Sequence, residues 1–230
     1  MRLQFVLIPL LALVATPAPA QRESFSSQVL RVSGMGPGPG AQIEPEDEID
    51  AGDVWVTDLN AHQANRVAQG GFRSPVFTPA GDAVMAVRDD TIVRIPLKGG
   101  GPEDVFQLDG LVKIVGFSPD GRLLLQADDG TDTPQVGLLA VAEKKLRWLS
   151  SDASAAEDKT ALDRVRGWER LYGATRVFVR REAPAGKNWT QVWVEEAGKE
   201  PFNASQCEKA SCGQPSMTPE KGLVVYIKAQ

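Results

Sequence analysis

The chain has 230 residues, with 25 Lys and Arg against 30 Asp and Glu and a formal net charge of −5 at pH 7. So mildly acidic a chain is a poor default binder of nucleic acid or of an anionic membrane surface. It is long enough for one all-β domain, and its 2 cysteines and single histidine, His62, are too few for the usual four Cys/His ligands of a zinc site.

Residues 1–20 read as a secretory signal. Arg2 is followed by the apolar run FVLIPLLALVA (5–15) and by TPAPA, which ends on the small-x-small sequence Ala18-Pro19-Ala20. The run is shorter than the ~20 apolar residues a spanning helix needs, and no later stretch predicts a membrane span. Cleavage after Ala20 predicts an exported protein, periplasmic or extracellular. Residues 21–52 then hold one strand, SSQVLRVSG (26–34), and a linker, GMGPGPGAQ (34–42). The linker fails as a dinucleotide loop, because Pro39 stands where the third glycine is needed and no helix follows. Glu44, Glu46, Asp47, Glu48 and Asp50 read as a solvated acidic loop, with a calcium or basic-partner site as the alternative.

From residue 53 onward the chain repeats. SPVFTPAGDAVMAV (74–87), VGFSPDGRLLLQ (115–126) and QPSMTPEKGLVVYI (214–227) share one order: a large apolar anchor, Ser/Thr-Pro, a turn with glycine, and an apolar run. VRGWERLYGATRVFV (165–179) is a degenerate copy. The anchors Phe77, Phe117, Trp168 and Met217 recur at intervals of roughly 40–50 residues, the length of a propeller blade. A second strand pair falls between anchors: DVWVTDL (53–59) with ANRVAQG, TIVRIPL (91–97) with EDVFQLDG, QVGLLAVAEKK (135–145) with LRWLSSD, and TQVWVEEAGK (190–199) with EPFNASQ. Each period therefore predicts four short strands rich in β-branched and aromatic residues between Gly, Pro or Asp turns. Only DASAAEDKTALDRV (152–165) reads as a helical turn or two.

Four strands per repeat predict an all-β β-propeller of four-stranded blades over 53–230. The stretch FSPDGRLLL, preceded by the strand DVWVTDL, resembles the WD-like repeats of TolB-type propellers. That resemblance implies that the Ser-Pro-Asp-Gly turn joins the two innermost strands of a blade. It marks a fold rather than an activity. The repeats open on a third-and-fourth-strand pair (53–70) and end on a first-and-second pair (213–228). The two would complete one blade together and leave no open edge. The expectation is a closed four-bladed ring; an incomplete ring finished by a second copy and a shortened relative of a six-bladed ring are the alternatives.

The candidate sites are few. Arg164, Arg166, Trp168, Arg170 and Tyr172 interleave arginine with large aromatics, as binding surfaces do; packing of Trp168 in the anchor slot is the competing reading. Asp128, Asp129 and Asp132 could offer oxygens to Ca2+, although their spacing is not that of a calcium loop. Cys207 and Cys212, in an exported chain, predict a disulfide. No nucleophile elbow, His-Glu-x-x-His or phosphate loop occurs, and His62 lies in a polar turn, NAHQAN. The expected function is a non-catalytic binding or scaffold module for a protein or envelope component, with no cofactor. A propeller hydrolase or lyase working through channel carboxylates with Ca2+ is the alternative, and a shortened relative of the propellers that gate exported peptidases is a third reading.

Overall fold

Fifteen short strands and no α-helix make up the described part of the chain. A computed structural model describes residues 49–230 except 129, 131–133, 150–169, 173, 183–188, 219, 221 and 230, all within the compact unit Gly40–Gln230. The expected signal sequence and linker, most of the acidic loop and the 152–165 segment lie outside the described residues.

The strands are β1 (Gly52–Asp58), β2 (Gln63–Phe77), β3 (Ala83–Arg88), β4 (Thr91–Pro96), β5 (Glu103–Gln107), β6 (Leu111–Phe117), β7 (Leu123–Ala127) and β8 (Gln135–Ala140). They continue with β9 (Lys145–Trp148), β10 (Arg170–Tyr172), β11 (Thr175–Glu182), β12 (Trp189–Glu196), β13 (Phe202–Asn203), β14 (Cys212–Thr218) and β15 (Leu223–Lys228). All pairings are antiparallel. They build one sheet in the order β14-β15-β1-β2-β3-β4-β5 and two four-stranded sheets, β6-β7-β8-β9 and β10-β11-β12-β13.

The seven-stranded sheet is two four-stranded units sharing one strand. The first half of β2 pairs with β1 (Val56↔Asn65, Asp58↔Gln63), and its second half pairs with β3 (Phe72↔Arg88, Phe77↔Val84). The sequence predicts two strands here; the structure runs them into one. The buried Asp53 carboxylate holds the crossing point: it accepts from the Gly70 amide at 2.8 Å and from Arg66 at 3.3 Å. As the repeat predicted, the C-terminal hairpin sits beside the first strand, with Val54↔Ile227 and Val56↔Val225 in register.

The apolar runs that carried the repeat are strands buried on both faces, which is why their sequence does not alternate. In β3, Val84 and Ala86 join one core cluster while Met85 and Val87 join another. In β15, Val225 and Ile227 pack with Phe72 and Ile95, whereas Val224 and Tyr226 pack with Val177, Val192 and Met217. Leu123 and Leu125 of β7 face Met85 and Ile92, and Leu124 lies on the opposite face with Val136, Leu138 and Leu149. Successive sheets thus stack through shared apolar cores.

Phe77 and Met217 are buried as anchors should be. Phe117 is only half-buried, packed against the Ile114–Leu123 cluster, because it ends β6 where the sheet gives way to the exposed 119–121 turn. Trp168 lies outside the described residues.

Candidate functional site

The Ser/Thr-Pro turns are the first place where polar groups gather, and they bind themselves. In the 118–122 turn, the Gly121 amide donates to the Ser118 carbonyl at 2.9 Å, and Gly121 takes φ 82°, a region that only glycine enters without strain. Asp120 accepts from the Ser118 hydroxyl and, at 2.6 Å, from Arg122 Nε. In the 78–83 turn Asp82 does the same work from a different position, accepting from Thr78 Oγ1 at 2.7 Å and from Arg94 at 3.0 Å. The serine or threonine hydroxyl is the main reason that both carboxyls lie below the usual carboxylate range, with the arginines adding to it. A depressed pKa suits an acceptor that holds a turn and is the wrong direction for a general acid at neutral pH.

A second polar cluster surrounds the disulfide. Cys207 and Cys212 are bonded to each other and buried in the core shared by β12, β14 and β15. Gln191, 4% exposed, grips the loop with both ends of its amide: Oε1 accepts from the Cys207 amide at 2.8 Å and from Ser205 Oγ at 3.0 Å, and Nε2 donates to the Cys207 carbonyl at 2.8 Å. Thr57 Oγ1 donates to the Ala204 carbonyl at 2.9 Å. Burial pushes the neighbouring Tyr226 phenol up. Every named group here is a structural tie.

The strands β11 and β12 carry an arrangement of a different kind. Their register sets Phe178 opposite Trp193 and Arg176 opposite Glu195. Arg176 lies over the Phe178 ring at 4.4 Å, Arg180 over the Trp193 ring at 5.2 Å, and Arg176 pairs with Glu195 at 2.8 Å. The result is a ladder of alternating guanidinium and aromatic planes on one sheet face, with Arg180 exposed. The sequence signal was Arg-x-Phe-x-Arg at the strand period; Trp193 joins it only through the register.

Of the sequence-based candidates, Arg164, Arg166 and Trp168 lie outside the described residues. Arg170 and Tyr172 are on β10, and the Tyr172 hydroxyl is 3.1 Å from Ser216 Oγ of β14. Asp128 Oδ1 accepts from the Gly130 amide at 2.8 Å; Asp129 and Asp132 lie outside the described residues. Among those described, no three His, Cys, Asp or Glu side chains converge as a metal site would need, and no helix is long and apolar enough to cross a membrane. His62 stands edge-on to Phe202, ring centroids 5.5 Å apart.

No family model matches the chain, and no curated protein matches it. Solved structures do. TolB from Acinetobacter baumannii is 14% identical, with 85% of this chain and 49% of that chain covered and a TM-score of 0.36. An oligogalacturonate lyase in complex with manganese is 17% identical, covering 76% of this chain and 52% of that chain at a TM-score of 0.35. The β-propeller domain of the Trilobed protease from Pyrococcus furiosus is 8% identical, covering 68% and 64% at a TM-score of 0.30. The chain spans less than two thirds of the length of each of these three. It is similar to TolB and to other propeller proteins, the family its repeat resembles.

Proposed function

We propose that this chain is an exported four-bladed β-propeller that binds a protein or envelope component and performs no chemistry of its own. Four four-stranded units, with β15 seated on β1, support a ring joined across its first and last strands. The signal-like residues 1–20 and the buried disulfide support export. The observation that carries the reading is the Arg176–Phe178–Arg180–Trp193 ladder, since arginine and large aromatics are the residue types that dominate binding energy at protein interfaces. We assign the contact surface to that ladder together with the arginine and aromatic candidates of 164–172. Asp128 is left with a turn-forming role.

The test is mild crosslinking in the native envelope fraction with wild type and Arg180→Glu. Arg180 is exposed, so the variant should melt as wild type does. Recovery of a discrete partner that drops about tenfold or more in the variant would support the reading. Equal recovery would move the contact surface elsewhere, and no partner together with no ligand-induced shift in melting would overturn the binding role.

A further inference from the structure

The outer strand of the β6-β7-β8-β9 sheet joins exposed cationic side chains to an exposed tryptophan. β9 is the edge strand. The Leu149 amide donates to the Val136 carbonyl at 2.8 Å, and bonded pairs alternate along an antiparallel ladder. The main-chain groups of Lys145 and Arg147 therefore face β8, and those of Leu146 and Trp148 point away from the sheet, where no described residue bonds to them. The side chains alternate in the same way. Lys145 and Arg147 stand exposed on one face; Leu146, half-buried, and Trp148, 40% exposed, stand on the other. The indole lies against Gly137, directly opposite it, where a Cβ would come within 3.0 Å of the ring. Glycine leaves the room that seats this tryptophan flat at the rim.

Cationic side chains on an edge are a known guard against one copy pairing with another. An exposed tryptophan in the same strand does not serve that end, since it adds apolar surface where the charge is meant to repel. On β6, the other edge of this sheet, exposed Lys113 lies beside exposed Val112, but Arg73 donates to the Leu111 and Val112 carbonyls. On β5, Glu103 and Asp104 are answered within their own sheet by Arg94 and Arg88, and β13 is two residues long. The turn before β9 adds Lys144 and one acidic group, Glu143, both exposed.

We propose that β9 is a docking edge for an extended segment of a partner protein in which acidic and apolar residues alternate. Such a segment, added as a fifth strand, would bond to the outward groups of Leu146 and Trp148. Its acidic residues would fall beside Lys145 and Arg147, and its apolar residues beside Leu146 and Trp148, because cross-strand neighbours share a face. The basic edge repels its own copy and admits this complement. The proposal starts from the binding-module reading and adds an occupant to it, on a surface separate from the β11–β12 ladder.

The experiment uses a blocked heptapeptide of alternating Val and Glu, a Val and Lys counterpart, and amide exchange of the full chain. The acidic peptide at saturation should slow exchange at Leu146 and Trp148 by about tenfold, with the basic one without effect. The double variant Lys145→Glu, Arg147→Glu, both exposed positions, should reverse the preference, and Trp148→Ala should weaken the acidic peptide about tenfold while leaving the selectivity for charge intact. Equal effects of the two peptides, or exchange at Leu146 and Trp148 unchanged at millimolar acidic peptide, would overturn the proposal. A partner recovered by crosslinking that binds wild type and double variant alike would sustain the binding-module reading and overturn the β9 edge. The charge-selective peptide response without any recovered partner would support the edge and count against the wider reading alone.

Discussion

Gln191 shows how much one polar side chain can settle. Its amide serves the Cys207 N–H, the Cys207 carbonyl and the Ser205 hydroxyl in a buried pocket, so Gln191→Ala removes a partner from all three, although the Ser205 hydroxyl keeps Asn203 Oδ1 at 3.1 Å. Each unmet buried group costs about 1–3 kcal/mol, and water entering the space left behind recovers part of it, so the variant should lose about 2–4 kcal/mol in urea unfolding. Phe117→Ala should cost about 2–3 kcal/mol, under the usual range for a fully buried phenylalanine, because the ring is half-exposed. Asp120 and Asp82 give a pH test. Their folded pKa values lie below the unfolded value of 3.8, so their stabilising effect is present above that value and is lost as pH falls through the lowered folded pKa. The melting difference between wild type and an Asp82→Ala, Asp120→Ala variant should therefore be small at neutral pH, both groups being exposed, and should shrink as the pH falls below 3.8. A difference that grows as the pH drops would contradict this account of the turns.

Among the elements, the loop between β13 and β14 is closed by the Cys207–Cys212 bond and held independently by Gln191. Native protein alkylated without reduction should keep its unmodified mass; two adducts would rule the bond out in solution. Replacing both cysteines by serine should cost about 2 kcal/mol, the chain-entropy value for so short a loop, and should leave the sheet in place because the amide clamp remains. β8 and β9 make a second local unit. A methyl group at position 137 would meet both the Trp148 ring and Leu146, at 3.0 and 2.9 Å. Gly137→Ala should displace the indole and raise its exposure, read as a red shift in tryptophan emission that the same substitution does not produce in a Trp148→Phe control.

At the scale of the molecule, the β15–β1 pairing joins the most distant parts of the described chain. Val54 and Val56 share one core with Val225 and Ile227, and Val224 and Tyr226 share another with Val177 and Val192. Deleting residues 212–230 would uncover both cores and leave β1 as an unprotected apolar edge, so the truncated chain should aggregate or lose cooperative melting. A soluble truncation with an unchanged transition would mean that the sheets hold independently of this pairing.

The strands and the Ser/Thr-Pro turns were legible in the sequence because the information is local. Apolar runs, glycine at a left-handed position and proline after a hydroxyl residue act over a few residues, and the repeat displays them several times. The pairing of Cys207 with Cys212 and the seating of 213–228 beside 53–59 were legible too, the first from the expectation of export, the second from a repeat cut between its strand pairs. Register was not legible. Phe178 meets Trp193, and Trp148 meets Gly137, because the whole ladder fixes which residues stand opposite, and a slip of one residue would send each to the other face. Nor could the sequence show that β2 runs unbroken through two four-stranded units of one sheet, where Asp53 reaches the Gly70 amide from another strand. It also left open which carboxylate holds each turn, Asp120 inside one and Asp82 at the end of the other, because hydrogen-bond geometry assigns that role after the backbone has closed. Local chemistry wrote the strands and turns of this protein; contacts between residues far apart in the chain decided which of its side chains lie together.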